Sequence, residues 1–179
     1  MKLEVAILGG GFAGVYCGQR IAKALKKAGR LPEEAIIVSE QNYMVFQPML
    51  AEVAGASIAP RHVINPIRRL CRGLRVLRGK VLEIDLVRKE VHVDTGNFSA
   101  GVIIEYNHLV LGLGAEIDLS RVPGMPEHAL VMQNVGDAMI LRATIISRIE
   151  EANAEARDEV RKRLLTFVVV GGGYSGVET

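Results

Sequence analysis

The sequence predicts an α/β fold built on parallel strands and helices, and two observations lead to this prediction. Near the N-terminus, the apolar run at residues 3–8 ends in three consecutive glycines, and apolar residues at helical spacing follow it. A second apolar run at 35–38 predicts a neighbouring buried strand. The strand-then-glycine pattern returns at residues 164–176, so the sequence predicts two similar units, the second only begun.

Composition describes an ordinary globular chain. Of its 179 residues, 49% are apolar and 23% are charged, which suits one domain or slightly more. The net charge of +2 is too small to indicate a nucleic-acid partner, and none is expected. The densest basic run, residues 61–80, lacks aromatic residues. We interpret this run as a solvated face, with phosphate or acidic-lipid contact as the alternative.

Membrane and metal signals are weak. No apolar run reaches the roughly 20 residues that a membrane-spanning helix needs, and the first residues enter a strand directly instead of forming a secretion signal. We therefore expect a cytoplasmic location, either free or at the surface of a membrane. Cys17 and Cys71 lie far apart without metal-ligand spacing, so we expect two buried thiols, no disulfide framework and no metal site.

The middle of the chain predicts an irregular loop, a meander and a helix. Residues 41–66 contain several prolines and are expected to be irregular. A loop of this length in a compact domain is often functional. Residues 74–111 predict a small β-meander that leads into a last core strand. Asn134 is a suitable N-cap for a long amphipathic helix, whose apolar face runs from Ala138 to Ala152 ahead of a highly charged stretch to Arg163. A strand at 164–170 follows.

The first glycine motif is Gly9-x-Gly11-x-x-Gly14. Gly9 suits a tight strand-to-helix turn, Gly11 lets the backbone approach a pyrophosphate, and Gly14 allows close packing of helix on strand. The pyrophosphate is then expected at the positive N-terminus of the helix. Glu40 ends the next predicted strand, where its carboxylate can accept hydrogen bonds from ribose hydroxyls. An acid there favours FAD or NAD over NADP.

The second motif is Gly171-x-Gly173-x-x-Gly176, followed closely by Glu178. In enzymes with two such motifs the first usually holds the flavin and the second the nicotinamide nucleotide. Only three residues follow Gly176 here, so we predict that the second site is incomplete in this chain. The predicted fold is therefore a Rossmann-like FAD/NAD(P)-binding three-layer fold with a small β-meander, plus the start of a second Rossmann unit.

Three segments resemble the type II, non-proton-pumping NADH:quinone oxidoreductases, flavoproteins of the pyridine nucleotide-disulfide oxidoreductase superfamily. They are the loop at 42–55 (NYMVFQPMLAEVAG), the helix at 137–152 and the second glycine turn at 165–178 (LTFVVVGGGYSGVE). The resemblance implies a chain of three parts. These are an FAD-binding domain at 1–118, a connecting segment with a long helix at 119–163, and the beginning of an NADH-binding domain at 164–179.

The resemblance also assigns residues. It implies that FAD contacts a set drawn from the first motif, the strand ends and the loop: Gly9, Gly11, Phe12, Ala13, Gly14, Glu40, Pro48, Val81, Gly114 and Ala115. In this assignment Pro48 lies near the isoalloxazine ring and Val81 presents its backbone to the adenine. Leu113 departs from the family's small-residue turn at 112–115. NADH is assigned to Gly171, Gly173 and Gly176, with Glu178 near the nicotinamide as the candidate catalytic residue.

The implied function is electron transfer from NADH through FAD to a membrane quinone in the respiratory chain, by a parent enzyme of which this chain alone is inactive. Membrane contact is expected at the cytoplasmic face through residues beyond this chain, and a homodimer is possible. Two alternatives stay open. A sulfide:quinone oxidoreductase-like flavoprotein needs a cysteine at the flavin, for which Cys71 is the only candidate, and a non-catalytic FAD- or NAD-binding module needs none. Dithiol reductases are disfavoured because residues 42–54 contain no cysteine.

Overall fold

A computed structural model describes residues 1–179 and contains both strands and helices. The strands are β1 (Lys2–Leu8), β2 (Ala35–Ser39), β3 (Tyr43–Val45), β4 (Ile64–Pro66), β5 (Arg75–Arg78), β6 (Lys80–Asp85), β7 (Glu90–Asp94) and β8 (Val102–Leu111). The helices are α1 (Phe12–Lys27), α2 (Leu50–Ala54), α3 (Ile67–Leu70), α4 (Met125–His128), α5 (Val135–Ala154), α6 (Asp158–Leu164) and α7 (Tyr174–Glu178). None of the helices is both long and apolar enough to cross a bilayer.

The chain divides into two compact units. The first unit comprises Met1–Met44 and Asn65–Glu116, and the second comprises Val45–Ile64 and Ile117–Thr179. Strands β3 and β4 pair with each other in a two-stranded sheet.

The first unit is organised around a six-stranded sheet in the order β5-β2-β1-β8-β7-β6. Strand β1 pairs in parallel with β2 on one side and with β8 on the other. Strand β8 is shared, because its first residues pair antiparallel with β7 and its later residues pair with β1. Only Gly79 separates β5 from β6, which occupy the two ends of this order, so the sheet curls back on itself there.

Both faces of the parallel strands are buried, which explains their continuous apolar sequence. Alternate residues such as Ile7 and Ile37 face a cluster that contains Val15 and Leu25 of α1. Their neighbours face a second cluster that contains Val91, Val93 and Ile104 of the meander. Helix, parallel sheet and meander thus form three layers, and the predicted fold class is confirmed.

The second unit has its own small core and a well-capped helix. Leu50, Val53, Val63 and Ala138 bury their side chains together. Asn134 caps α5 as predicted, and its side chain accepts a hydrogen bond of 3.0 Å from the backbone N–H of Asp137. The Asp137 carboxylate in turn accepts bonds from two backbone N–H groups before the helix, which completes a capping box.

Replacing Asn134 with alanine is expected to lower the free energy of unfolding by about 1 kcal/mol, because the N–H of Asp137 loses its partner. Urea unfolding followed by circular dichroism measures this. Asn153→Ala is the control, since Asn153 is an exposed residue inside the same helix. Equal losses in the two variants would contradict the capping role.

One predicted element at the C-terminal end is wrong, and another is confirmed. Helix α5 contains the predicted helical face and ends at Ala154, and α6 begins at Asp158 within the charged stretch. The Glu155 carboxylate accepts hydrogen bonds from both the backbone and the guanidinium of Arg157, a local turn that competes with helical hydrogen bonding. The predicted strand at 164–170 does not form. Residues 166–170 pair with no other strand of the chain, and a lone strand leaves its backbone groups without partners.

Candidate functional site

The first glycine turn is held against the end of β8. Gly9 has a φ of +110°, a conformation that L side chains rarely adopt. Its N–H donates to the Val38 carbonyl at 2.8 Å, and a Cβ added to it would overlap the Gly112 carbonyl oxygen. Backbone conformation and close backbone approach therefore both require glycine at this position.

Gly14 and Gly11 have opposite surroundings. A Cβ at Gly14 would overlap the Gly9 carbonyl, so α1 can approach the turn only because this residue is glycine. A Cβ at Gly11 would meet no atom within 4 Å. The turn thus presents a bare stretch of backbone at Gly11 towards open space.

The start of α1 suits an anion. Gly11 is the N-cap, no side chain caps the helix, and its first turn contains no acidic residue. Gly11, Phe12 and Ala13 are exposed there. The N-terminus of a helix concentrates partial positive charge, and the lack of a competing carboxylate leaves that charge available to a ligand.

Glu40 lies at the same edge of the sheet as this turn. Leu8 pairs with Val38 of β2 and with Leu111 of β8, so the carboxyl ends of three strands meet there. Glu40 follows β2 directly and is exposed. Its backbone oxygen accepts a bond from Arg78 Nε at 3.2 Å, while no residue of the chain donates to its carboxylate. The structure therefore brings the first glycine motif, Glu40 and the loop at 112–115 to one edge.

Two contacts at this edge were not assigned from the sequence. Gly112 donates from its N–H to the Leu8 carbonyl at 2.7 Å, and its Cβ position is 3.3 Å from the Gly14 nitrogen. At Gly10 an added Cβ would overlap Ser39 Oγ. In the sequence, only the middle one of three consecutive glycines and the glycine after an apolar strand indicated these contacts, because both depend on distant parts of the chain.

The remaining predicted FAD residues are spread over both units. Val81 is half-buried in β6, pairs with Val93, and adjoins an irregularity in the register. Gly114 and Ala115 are exposed in the loop after β8. Pro48 belongs to the second unit, where it is exposed in a short 3₁₀ turn at Gln47–Met49. The neighbouring Gln47 side chain donates to the Gln133 carbonyl at 3.1 Å and so fixes this turn.

The second glycine turn copies the backbone of the first. Gly171 has a φ of +121°, and a Cβ at Gly176 would overlap its carbonyl. Gly173 has φ −76° and ψ 174°, close to the −80° and −167° of Gly11. A Cβ added at Gly171 would meet no atom within 4 Å, whereas one added at Gly9 would overlap Gly112. Helix α7 has only five residues, and Glu178 is exposed near its end.

The cysteines do not form a redox pair at the glycine turn. Both are free, Cys17 half-buried and Cys71 buried. The Cys71 thiol lies 3.8 Å from the Val15 carbonyl, inside the layer between α1 and the sheet. Burial raises the pKa of this thiol, which disfavours the reactive thiolate. The prediction of a buried thiol is right for Cys71 and only partly right for Cys17.

A glycine turn between a parallel strand and a helix, with an acid at the end of the next strand, defines a dinucleotide-binding protein. The family model described as pyridine nucleotide-disulphide oxidoreductase matches residues 3–179. The chain belongs to this family.

Curated relatives support the resemblance drawn from the sequence. External alternative NAD(P)H-ubiquinone oxidoreductase B2, mitochondrial, of Arabidopsis thaliana is 34% identical over 186 residues, which cover 99% of this chain and 31% of the relative. External NADH-ubiquinone oxidoreductase 2, mitochondrial, of Saccharomyces cerevisiae is 29% identical over 184 residues, covering 99% and 32%. The chain therefore spans about a third of the length of these relatives.

Solved structures have the same fold. NDH2 of Plasmodium falciparum in complex with RYL-552 superposes with a TM-score of 0.86 at 23% identity, over 99% of this chain and 36% of that one. The sulfide:quinone oxidoreductase of Aquifex aeolicus superposes with a TM-score of 0.67 at 17% identity, over 86% and 33%. The similarity to type II NADH dehydrogenases is thus confirmed by sequence and the fold by structure.

Proposed function

We propose that the first glycine turn binds FAD and that the parent protein transfers electrons from NADH through this flavin to a membrane quinone. The observation that carries the proposal is the turn itself, which has a fixed backbone at Gly9 and an open space at Gly11. An open space of this kind is what a pyrophosphate needs to reach the helix N-terminus. The names of the curated relatives supply the electron donor and acceptor.

In this proposal each residue at the sheet edge has a defined task. The first turn of α1, from Gly11 to Gly14, offers its positive end to the pyrophosphate. Glu40 accepts hydrogen bonds from the ribose hydroxyls, since its carboxylate has no partner within the chain. Val81 lies at the adenine, and Gly114 and Ala115 border the cofactor where β8 ends. Bound FAD supplies the two-electron redox chemistry, and the protein supplies position and electrostatics.

The second unit supplies further parts of the proposal. Pro48 lies near the isoalloxazine ring, and Gly171, Gly173 and Gly176 receive the pyrophosphate of NADH. Glu178 lies near the nicotinamide. The corresponding domains are the FAD-binding part at 1–118, the connecting segment at 119–163 and the beginning of the NADH-binding part at 164–179. We place the parent protein at a membrane surface, where its quinone is dissolved.

A visible absorption spectrum tests the FAD assignment. The purified chain is incubated with FAD, desalted and scanned. A retained flavin spectrum supports the assignment. If the chain is folded but colourless, the same measurement is repeated on the longer parent protein. A colourless parent would overturn the proposal. Flavin in the parent that NADH fails to reduce would favour a non-catalytic FAD-binding module.

Replacing Glu40 with glutamine is expected to weaken FAD binding about tenfold or more, because hydrogen bonds to a charged acceptor are stronger than those to an amide. Quenching of flavin fluorescence during titration measures the dissociation constant. Glu33→Gln is the matched control, since Glu33 is an exposed acid just before the opposite end of β2. A loss of equal size in both variants would show that general charge, and not contact with the ribose, is responsible.

A further inference from the structure

The positive charge of the chain is concentrated in two stretches that contain no acid. Residues 5–32 contain five Lys or Arg and residues 53–82 contain seven, without a single Asp or Glu in either. Together they hold 5 + 7 = 12 of the 22 basic residues and none of the 20 acidic ones. A net charge of only +2 hides this asymmetry.

The fold places parts of these two stretches side by side in the first unit. The Gln19 side chain of α1 donates to the Leu70 carbonyl at the end of α3 at 3.0 Å. The Cys71 thiol lies against the Val15 carbonyl, so the turn after α3 also packs on α1. Lys23 and Lys26 follow Gln19 by four and seven residues and therefore share the side of α1 that borders α3.

Seven basic residues form what we call the basic face. They are Arg20, Lys23, Lys26 and Lys27 on α1, and Arg68, Arg69 and Arg72 on α3 and the turn after it. All seven are exposed. None has an ion-pair partner, whereas Arg30, Arg88, Arg121, Arg148, Arg157 and Arg161 all pair with carboxylates. Seven neighbouring cations without counter-charge repel one another, so their arrangement favours an anionic partner.

The cavities and exposed side chains of the basic face indicate which kind of anionic partner it suits. Neither of two surface cavities, of about 300 and 460 Å³, is lined by any of the seven residues, so these cavities do not bring a small anion to the face. No large apolar side chain is exposed on it between Cys17 and Arg30 or between Asn65 and Gly79. Protein interfaces usually need such anchors, and single-stranded nucleic acids need aromatic side chains for stacking. Anionic lipid headgroups need only clustered Lys and Arg.

We propose that the basic face of α1 and α3 binds the surface of a membrane that contains anionic lipids. This inference rests on the proposed function, because binding to a membrane brings the protein to a quinone acceptor that is dissolved in the bilayer. It adds a contact within the first unit to the membrane contact that the family resemblance implies beyond this chain.

Vesicle co-sedimentation of the 179-residue chain tests the proposal. We expect binding to phosphatidylcholine vesicles with about 30% phosphatidylglycerol at about 50 mM salt, little binding to pure phosphatidylcholine, and release at about 500 mM salt. The variant R68Q/R69Q/R72Q is expected to lower the partition coefficient about tenfold or more. The control R148Q/R161Q/K162Q removes the same charge from exposed residues of the second unit and is expected to change it less than about threefold.

Several outcomes would overturn the proposal. They are a failure of the wild-type chain to bind the anionic vesicles, equal losses in the two triple variants, or an equally tight and equally variant-sensitive binding of duplex DNA. If circular dichroism shows that R68Q/R69Q/R72Q is unfolded, K23Q/K26Q/K27Q replaces it with the same expectation. Vesicle binding by the chain, together with a parent protein that retains no FAD, would reject the FAD assignment alone. FAD retention without vesicle binding would reject the basic-face proposal alone.

Discussion

Replacement of Gly9 by alanine is expected to lower the free energy of unfolding by roughly 2–5 kcal/mol and to abolish FAD retention. The φ of +110° is strained for any residue with a Cβ, and that Cβ would overlap the Gly112 carbonyl at the end of β8. Relief of the overlap would separate β1 from β8, the central pair of the sheet. Urea unfolding of the chain measures the loss.

Gly29→Ala is the control for the backbone strain alone. Gly29 also has a positive φ, of +72°, but its Cβ position meets no atom within 4 Å. We expect a cost of about 1 kcal/mol there. A Gly9 variant as stable as this control would mean that the turn is not held against Gly112.

Replacement of Gly11 by valine is expected to reduce FAD affinity strongly but stability only slightly, unlike the replacement of Gly9. The φ of −80° accepts any residue, and the Cβ position is open, so we expect a stability loss of no more than about 1 kcal/mol. The valine side chain would occupy the space proposed for the pyrophosphate. We expect FAD affinity to fall about a hundredfold or more while the thermal transition stays nearly unchanged.

Gly173→Val provides the matched control within the same chain. Gly173 has the same backbone conformation as Gly11 and an equally open Cβ position, but it belongs to the second glycine turn. FAD titrations should therefore give the wild-type dissociation constant for this variant. If Gly11→Val bound FAD normally, the pyrophosphate would not lie on this turn.

Much of the first unit could be predicted because its signals are local. A continuous apolar run indicates a strand buried on both faces, and glycine spacing indicates the turn that follows. Helical spacing then gives α1, since Val15, Ala22 and Leu25 face the sheet. The cap at Asn134 is equally local, as its partner Asp137 is three residues away.

The predictions fail or stay incomplete where contacts with distant or competing residues determine the local structure. The apolar run at 164–170 has a strand-like composition, but a strand also needs a neighbour, which composition does not report. The apolar face at 138–152 predicts the long helix but not its last residue, which coincides with the local hydrogen bonds between Arg157 and Glu155. The family resemblance places Gly112 in a small-residue turn, but its contacts with Leu8 and Gly14 follow only from the position of β8 beside β1.

The position of β8 has a consequence for the chain during its synthesis. Strand β1 has β2 on one side within the first 39 residues, but on its other side Lys2 pairs with Glu105 and Leu8 with Leu111. Until those residues leave the ribosome, the largely buried strand β1 presents an open edge, which favours pairing between nascent chains. Folding of this unit is therefore expected to finish only after residue 111 has left the ribosome.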